Sequence, residues 1–141
     1  MISLLKQAKK ALEQYYGYTD FREGQEEIIE NILNGKNSLG ILPTGGGKSI
    51  CFQIPALLFP GTTIVISPLI SLMKDQVDAL TASDIPATFI NSSLSQKELR
   101  EQTDLIRRGA FKLVYVAPER FDSDYFVDIL NSIDIPLIAF D

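Results

Sequence analysis

Five short β-prone runs recur along the 141-residue chain at nearly constant intervals, at residues 39–42, 62–66, 87–90, 112–116 and 137–140. Their starts lie 23, 25, 25 and 25 residues apart, about the length of a strand, a helix and two short loops. The segments do not resemble one another, so the spacing is a period of elements and not a sequence repeat. Between the runs the apolar pattern is helical: Leu69, Leu72, Met73, Val77 and Leu80 fall at spacings of three and four, and Ser95-Gln96-Lys97-Glu98 is a capping box. Strand alternating with helix predicts an α/β fold, a parallel sheet with helices on both faces. Two helices precede it. One is capped by Ser3, with Leu4, Leu5, Ala8, Ala11, Leu12 and Tyr15 on one face and Gly17 as its stop. The other runs roughly over 23–34 and stops at Gly35.

Prolines orient the sheet. Pro86 and Pro136 precede strands, whereas Pro43, Pro68 and Pro118 follow them, the last two suited to a first helical position. Open parallel sheets bind ligands beyond the carboxyl ends of their strands. The loops at 43–47, 67–69 and 117–120 are therefore expected on one functional edge.

Composition excludes several classes. A single cysteine removes any disulfide framework or cysteine-cluster zinc site, and the absence of histidine removes histidine catalysis. The longest apolar run, from Ile54 to Pro60, is too short to span a bilayer, and Lys6, Lys9 and Lys10 interrupt any signal-peptide core. A soluble chain in a reducing compartment, the cytoplasm, is expected. The net charge of −5 is local: residues 1–118 balance at 12 basic and 12 acidic, while 119–141 carry one Arg against six carboxylates. A phosphate-binding surface elsewhere is compatible with that balance.

Thr44-Gly45-Gly46-Gly47-Lys48-Ser49 lies between a strand run and a helix. Glycines let backbone N–H groups turn inward around phosphate oxygens, and the helix start aims its positive end at the same place. Lys48 would reach the β- and γ-phosphates and the Ser49 hydroxyl would ligate Mg²⁺. The first position of the strict P-loop pattern is Leu42, not Gly. The bland alternative is a glycine-rich turn before an exposed lysine; the strand–loop–helix context favours a nucleoside triphosphate. Upstream, Tyr18 and Phe21-Arg22-Glu23-Gly24-Gln25 offer an aromatic ring or a guanidinium plane to stack on a base, and an amide to pair with an adenine edge. Without the P-loop, Phe21 would read as a hydrophobic staple and Gln25 as an exposed helical residue.

Five blocks then occur in order: FREGQEEII at 21–29, LPTGGGKSICFQIPAL at 42–57, VISPLISLMKDQVDAL at 65–80, LVYVAPER at 113–120 and LIAFD at 137–141. Together they resemble the start of a RecQ-family DNA helicase, a superfamily 2 motor with RecA-like lobes. The resemblance implies that Tyr18, Arg22 and Gln25 hold adenine, that Thr44 through Ser49 hold the phosphates and Mg²⁺ of ATP, and that Asp141 joins Ser49 at the metal, with Lys48 and Asp141 as the catalytic positions. It also implies contacts to a single-stranded DNA track from Ser67, Pro68, Leu69 and Ser71, from Pro118, Glu119 and Arg120, and from Asn91. Under it, residues 1–35 are a helical adenine-motif segment and 36–141 a P-loop core ending within the Walker B motif.

In that family the final aspartate opens a D-E-A-H sequence, and a second RecA-like lobe supplies an arginine finger. The 141 residues are accordingly expected to bind ATP but not to hydrolyse it or unwind DNA alone, and to be marginally stable or self-associating around the 137–140 strand. Two other functions fit the residues. One is an RNA helicase lobe of the same superfamily, disfavoured by the short spacing of Phe21 and Gln25. The other is a non-catalytic ATP-binding module. Cys51 reads as a small buried hydrophobe, Asp122, Asp124 and Asp128 as a solvated face, and Tyr15 and Tyr16 as packing residues.

Overall fold

The computed structural model of the protein describes residues 3–40 and 47–141. The chain forms two compact units, Met1–Phe59 and Pro60–Asp141.

The first unit is helical. Helix α1 spans Leu4–Tyr16; Ser3 Oγ accepts from the Lys6 N–H at 3.2 Å, and Gly17 ends the helix at φ 76°, a left-handed conformation that glycine adopts without penalty. Helix α2 spans Gln25–Leu33, two residues shorter at its start than the apolar pattern suggested. Gly24 is the reason: at φ 88° it cannot continue a helix, so the first turn opens after it. Helix α3 spans Lys48–Leu58 and follows Gly47, itself left-handed at φ 77°. The core brings together Ala8, Ala11 and Leu12 of α1, Ile29 and Leu33 of α2 and Ile54 of α3, with Tyr15, Tyr16 and Phe21 half-buried around them. Each large aliphatic side chain fully buried this way contributes roughly 1.5–3 kcal/mol. A further clasp comes from the Tyr16 hydroxyl, which donates to Gln53 Oε1 at 2.5 Å. Of the predicted strand at 39–42, Leu39 and Gly40 carry no regular secondary structure, and Ile41 and Leu42 lie outside the described residues.

The second unit is a parallel sheet. Its strands are β1 (Thr63–Ile66), β2 (Ala87–Ile90), β3 (Leu113–Val116) and β4 (Ile138–Phe140), in the order β2-β3-β1-β4. The register aligns Ile64 with Val114 and Ile138, and Val114 with Thr88. The connecting elements are α4 (Ile70–Ala82), α5 (Gln96–Arg107), a 3₁₀ turn (Pro118–Asp122) and α6 (Asp124–Asn131). Side chains alternate across a strand. Ile64, Ile90, Val114 and Val116 thus meet Ile106 of α5 and Phe126, Ile129 and Leu130 of α6 on one face. Tyr115, between two of them, points the other way and its hydroxyl donates to Gln76 of α4 at 2.6 Å. Helices therefore cover both faces, as the element period predicted.

Details of α4 differ from the sequence reading. Met73, Val77 and Leu80 are buried, but Leu69 and Leu72 are exposed, Leu69 by 52%. Pro68 is not at the first helical position; it lies outside the helix, whose cap is Leu69. Pro118 does open its 3₁₀ turn, and the capping box at Ser95 and Glu98 forms in both directions. At β4 the side chains of Ile138 and Phe140 are exposed, Phe140 by 81%.

Candidate functional site

In the first unit, α1, the 17–24 loop and the start of α3 enclose a cleft of about 320 Å³ lined by Leu12, Tyr18, Asp20, Arg22, Gln25, Gly47 and Ile50. That volume is at the lower end of the range for small-molecule sites. Three residues predicted from sequence for a nucleobase, Tyr18, Arg22 and Gln25, line one wall-to-wall space with the end of the glycine loop. Tyr18 is half exposed, so its ring is accessible.

Gln25 departs from the alternative of an exposed helical residue: it is 1% exposed. Its Oε1 accepts from the Arg22 N–H at 2.8 Å and its Nε2 donates to the Gly47 carbonyl at 3.0 Å. An amide is the neutral side chain that carries both donors and an acceptor on one planar group, which this pair of backbone partners needs. Gly47 is constrained from both sides: its φ is positive, and a Cβ there would collide with Gln25 Nε2. The cleft residues that sequence reasoning missed are Leu12, Asp20 and Ile50. Leu12 and Ile50 read as ordinary apolar positions, and nothing in their spacing distinguishes core from cleft wall.

Gly47 caps α3, with Lys48 and Ser49 as the first two helical residues; Lys48 is exposed and Ser49 half-buried. The predicted phosphate-binding positions Thr44, Gly45 and Gly46 lie outside the described residues. Among the described residues no group of three or more Cys, Asp or Glu side chains is arranged to hold a metal ion. No helix among them is long and apolar enough to cross a membrane.

The second unit gathers the other predicted residues at the carboxyl ends of its strands. The Ser67 N–H donates to Val116 O at 3.1 Å, Ala117 N–H to Ile90 O at 3.1 Å and Asp141 N–H to Ile66 O at 2.9 Å, so the strand ends stay in line past the sheet itself. Pro68, Leu69, Ser71, Pro118, Glu119 and Asp141 are exposed along this edge. Two residues of the set are buried. Ser67 is buried and its Oγ accepts from the Leu69 N–H at 3.2 Å, so the hydroxyl shapes the loop before α4 and does not cap the helix. Asn91 is 1% exposed; its Oδ1 accepts from Ser93 N–H at 2.8 Å and from Ser93 Oγ at 2.5 Å, and its Nδ2 donates to Met73 Sδ at 3.6 Å. Burial of its polar head is tolerated because the amide is paired within the chain.

Cys51 is buried in α3, and burial pushes its thiol above the ordinary range, opposed only in part by a backbone hydrogen bond. Asp122, Asp124 and Asp128 are all exposed.

The DEAD/DEAH box helicase family profile matches residues 22–141. The chain is 54% identical over 139 residues, 98% of its length, to the ATP-dependent DNA helicase RecQ of Bacillus subtilis. It is 46% identical over 99% of its length to the ATP-dependent DNA helicase RecQ of Pasteurella multocida, and 41% over 92% to that of Synechocystis sp.. It spans 24%, 22% and 27% of these relatives, about a quarter of their length. The parallel sheet, the strand-end loops and a profile match that runs from Arg22 of the cleft to Asp141 agree on one assignment: this chain belongs to the DEAD/DEAH box helicase family.

Proposed function

We propose that this chain is the nucleotide-binding part of an ATP-dependent DNA helicase whose full-length form couples ATP hydrolysis to 3′–5′ movement along single-stranded DNA. The observation that carries the proposal is the cleft in which Gln25 bonds to Gly47 while Tyr18 and Arg22 line the same space. In this reading residues 1–35 carry the adenine motif and 36–141 the P-loop core. Adenine stacks against Tyr18 or Arg22, and Gln25 reads its edge. A Cβ-free, left-handed Gly47 at the start of α3 suits a backbone that must pass close to phosphate oxygens.

Thr44, Gly45, Gly46 and Gly47 would cradle the phosphates, with Lys48 neutralising their charge. Mg²⁺ would be held by Ser49 and Asp141, and it usually keeps several waters and takes only one or two protein ligands. The metal supplies charge neutralisation on the phosphates. Single-stranded DNA would follow the strand-end edge that Ser67, Pro68, Leu69, Ser71, Asn91, Pro118, Glu119 and Arg120 build. A second RecA-like lobe completes the motor in the cytoplasm.

The test is a titration of the full-length protein with fluorescent ATP and Mg²⁺, beside its Lys48→Ala variant. Loss of a charge-assisted phosphate contact should weaken binding by roughly 1.5–3 kcal/mol, at least tenfold. Equal affinity in both proteins would remove the P-loop from the binding site. DNA-stimulated phosphate release with a deoxy-oligonucleotide supports the DNA reading; stimulation by the ribo-oligonucleotide alone would replace it with an RNA motor.

A further inference from the structure

Asn91 sits where three elements of the strand-end edge meet. Its side chain reaches α4 through Met73 and folds its own loop back through Ser93. Its carbonyl accepts from the Arg120 guanidinium at 2.6 Å and from the Leu94 N–H at 3.4 Å. Arg120 belongs to the 3₁₀ turn after β3, 29 residues along the chain, and is half-buried. Next to it, the Ala117 N–H takes the Ile90 carbonyl, so two consecutive carbonyls at the end of β2 both hold the segment that follows β3.

From this arrangement we infer that Arg120 and Asn91 are positioning residues for the DNA edge and not phosphate ligands. Arg120 locks the 3₁₀ turn to the loop after β2, and Asn91 locks that loop to α4. Exposed groups on the three elements, Ser71, Ser92, Pro118 and Glu119 among them, are thereby held as one surface. A guanidinium on a carbonyl is a charge-assisted bond with directional donors, stiffer than a solvated lysine would provide. The inference rests on the proposed DNA reading for what the surface binds, but the lock itself is a property of the chain.

Two measurements on the full-length protein separate these points. Hydrogen–deuterium exchange requires no DNA. In Arg120→Ala, exchange at residues 91–95 and 117–122 should accelerate together by about tenfold, the loss of one charge-assisted bond. Arg120→Lys should restore part of the protection. Acceleration confined to 117–122, or none, would overturn the lock.

The second measurement is affinity for a fluorescent single-stranded oligonucleotide across a potassium chloride series. Arg120→Ala and Asn91→Ala should each weaken binding several-fold while keeping the wild-type slope of log affinity on log salt. The double variant should bind about as well as the weaker single, because both substitutions interrupt the one chain of bonds that runs from the 3₁₀ turn through the loop to α4. A slope lowered by about one in Arg120→Ala would make Arg120 a direct phosphate ligand and overturn the inference. Should Asn91→Ala fail to fold, Ser93→Ala removes from an exposed position the hydroxyl bond to the same Asn91 Oδ1, the backbone N–H bond staying in place, and is held to the same outcomes. If the wild-type protein does not bind the oligonucleotide, the DNA reading fails while the exchange result still decides the lock.

Discussion

The side-chain amide of Gln25 donates to the main-chain carbonyl of Gly47 at 3.0 Å, joining the first residue of α2 to the residue that caps α3 across 22 positions of chain. Gly47 holds a positive φ, and a Cβ there would meet Gln25 Nε2. The left-handed backbone alone should cost Gly47→Ala about 1–2 kcal/mol. Urea unfolding is expected to show that loss, accompanied by weaker nucleotide binding. An unchanged midpoint would mean that the turn relaxes without strain.

Gln25 serves one acceptor and one donor at once, which Gln25→Glu separates. An ionised carboxylate still accepts from the Arg22 N–H but has no proton for the Gly47 carbonyl. We expect Gln25→Glu to lower stability by about 1–3 kcal/mol, the cost of a buried acceptor left unpaired. Discrimination of ATP from GTP, measured by competition, should fall with it. Retention of both would leave Gln25 without the role assigned to it.

Ser95 and Glu98 cap α5 reciprocally, Ser95 N–H to Glu98 Oε1 at 3.0 Å and Glu98 N–H to Ser95 Oγ at 3.1 Å. The Ser95 backbone N–H, and secondarily its hydroxyl, hold the Glu98 carboxyl below its ordinary range. A carboxyl lowered on folding stabilises the protein above its unfolded pKa, and that contribution disappears as pH falls through the folded value. Ser95→Ala should cost about 1 kcal/mol, typical of a lost N-cap. NMR titration should then find the Glu98 carboxyl moved only part of the way back toward the ordinary value, because the residue-95 N–H remains; a Glu98 carboxyl at its ordinary value in the unsubstituted protein would show that the box does not persist in solution.

Cys51 should be inert while the protein is folded. Burial raises its pKa and so depletes the nucleophilic thiolate. Labelling by a thiol-disulfide reagent at pH 8 is expected to be slow in buffer and immediate in denaturant. Rapid labelling of the native protein would mean that the middle of α3 opens readily.

Local signals were legible in the chain because their physics is local. Ser3 and Gly17 bracket α1, the Ser95–Glu98 box opens α5, and the 25-residue period marks β1 to β4. In each case the cause lies within a few residues: an orphan N–H seeking an oxygen, a left-handed turn needing glycine, a pleat alternating its side chains. Gly24 was the exception, since a glycine inside an apolar helical pattern does not announce which sign its φ will take.

Tertiary structure decided what the pattern left equivalent. A period of three and four assigned Leu69, Leu72, Met73, Val77 and Leu80 to one face alike, and only packing separated the buried three from the exposed two. Asn91 and Ser67 had the composition of ligand-edge residues, yet burial turned their polar groups inward. By itself, then, the sequence determined the alternation of strand and helix, the parallel α/β class and the closeness of Tyr18, Arg22 and Gln25 along the chain. The strand order, the closure of Gln25 on Gly47 and the Arg120–Asn91 lock were decided only in three dimensions, because each depends on partners 22 or more residues away whose meeting is set by the packed core and not by any neighbour in the chain.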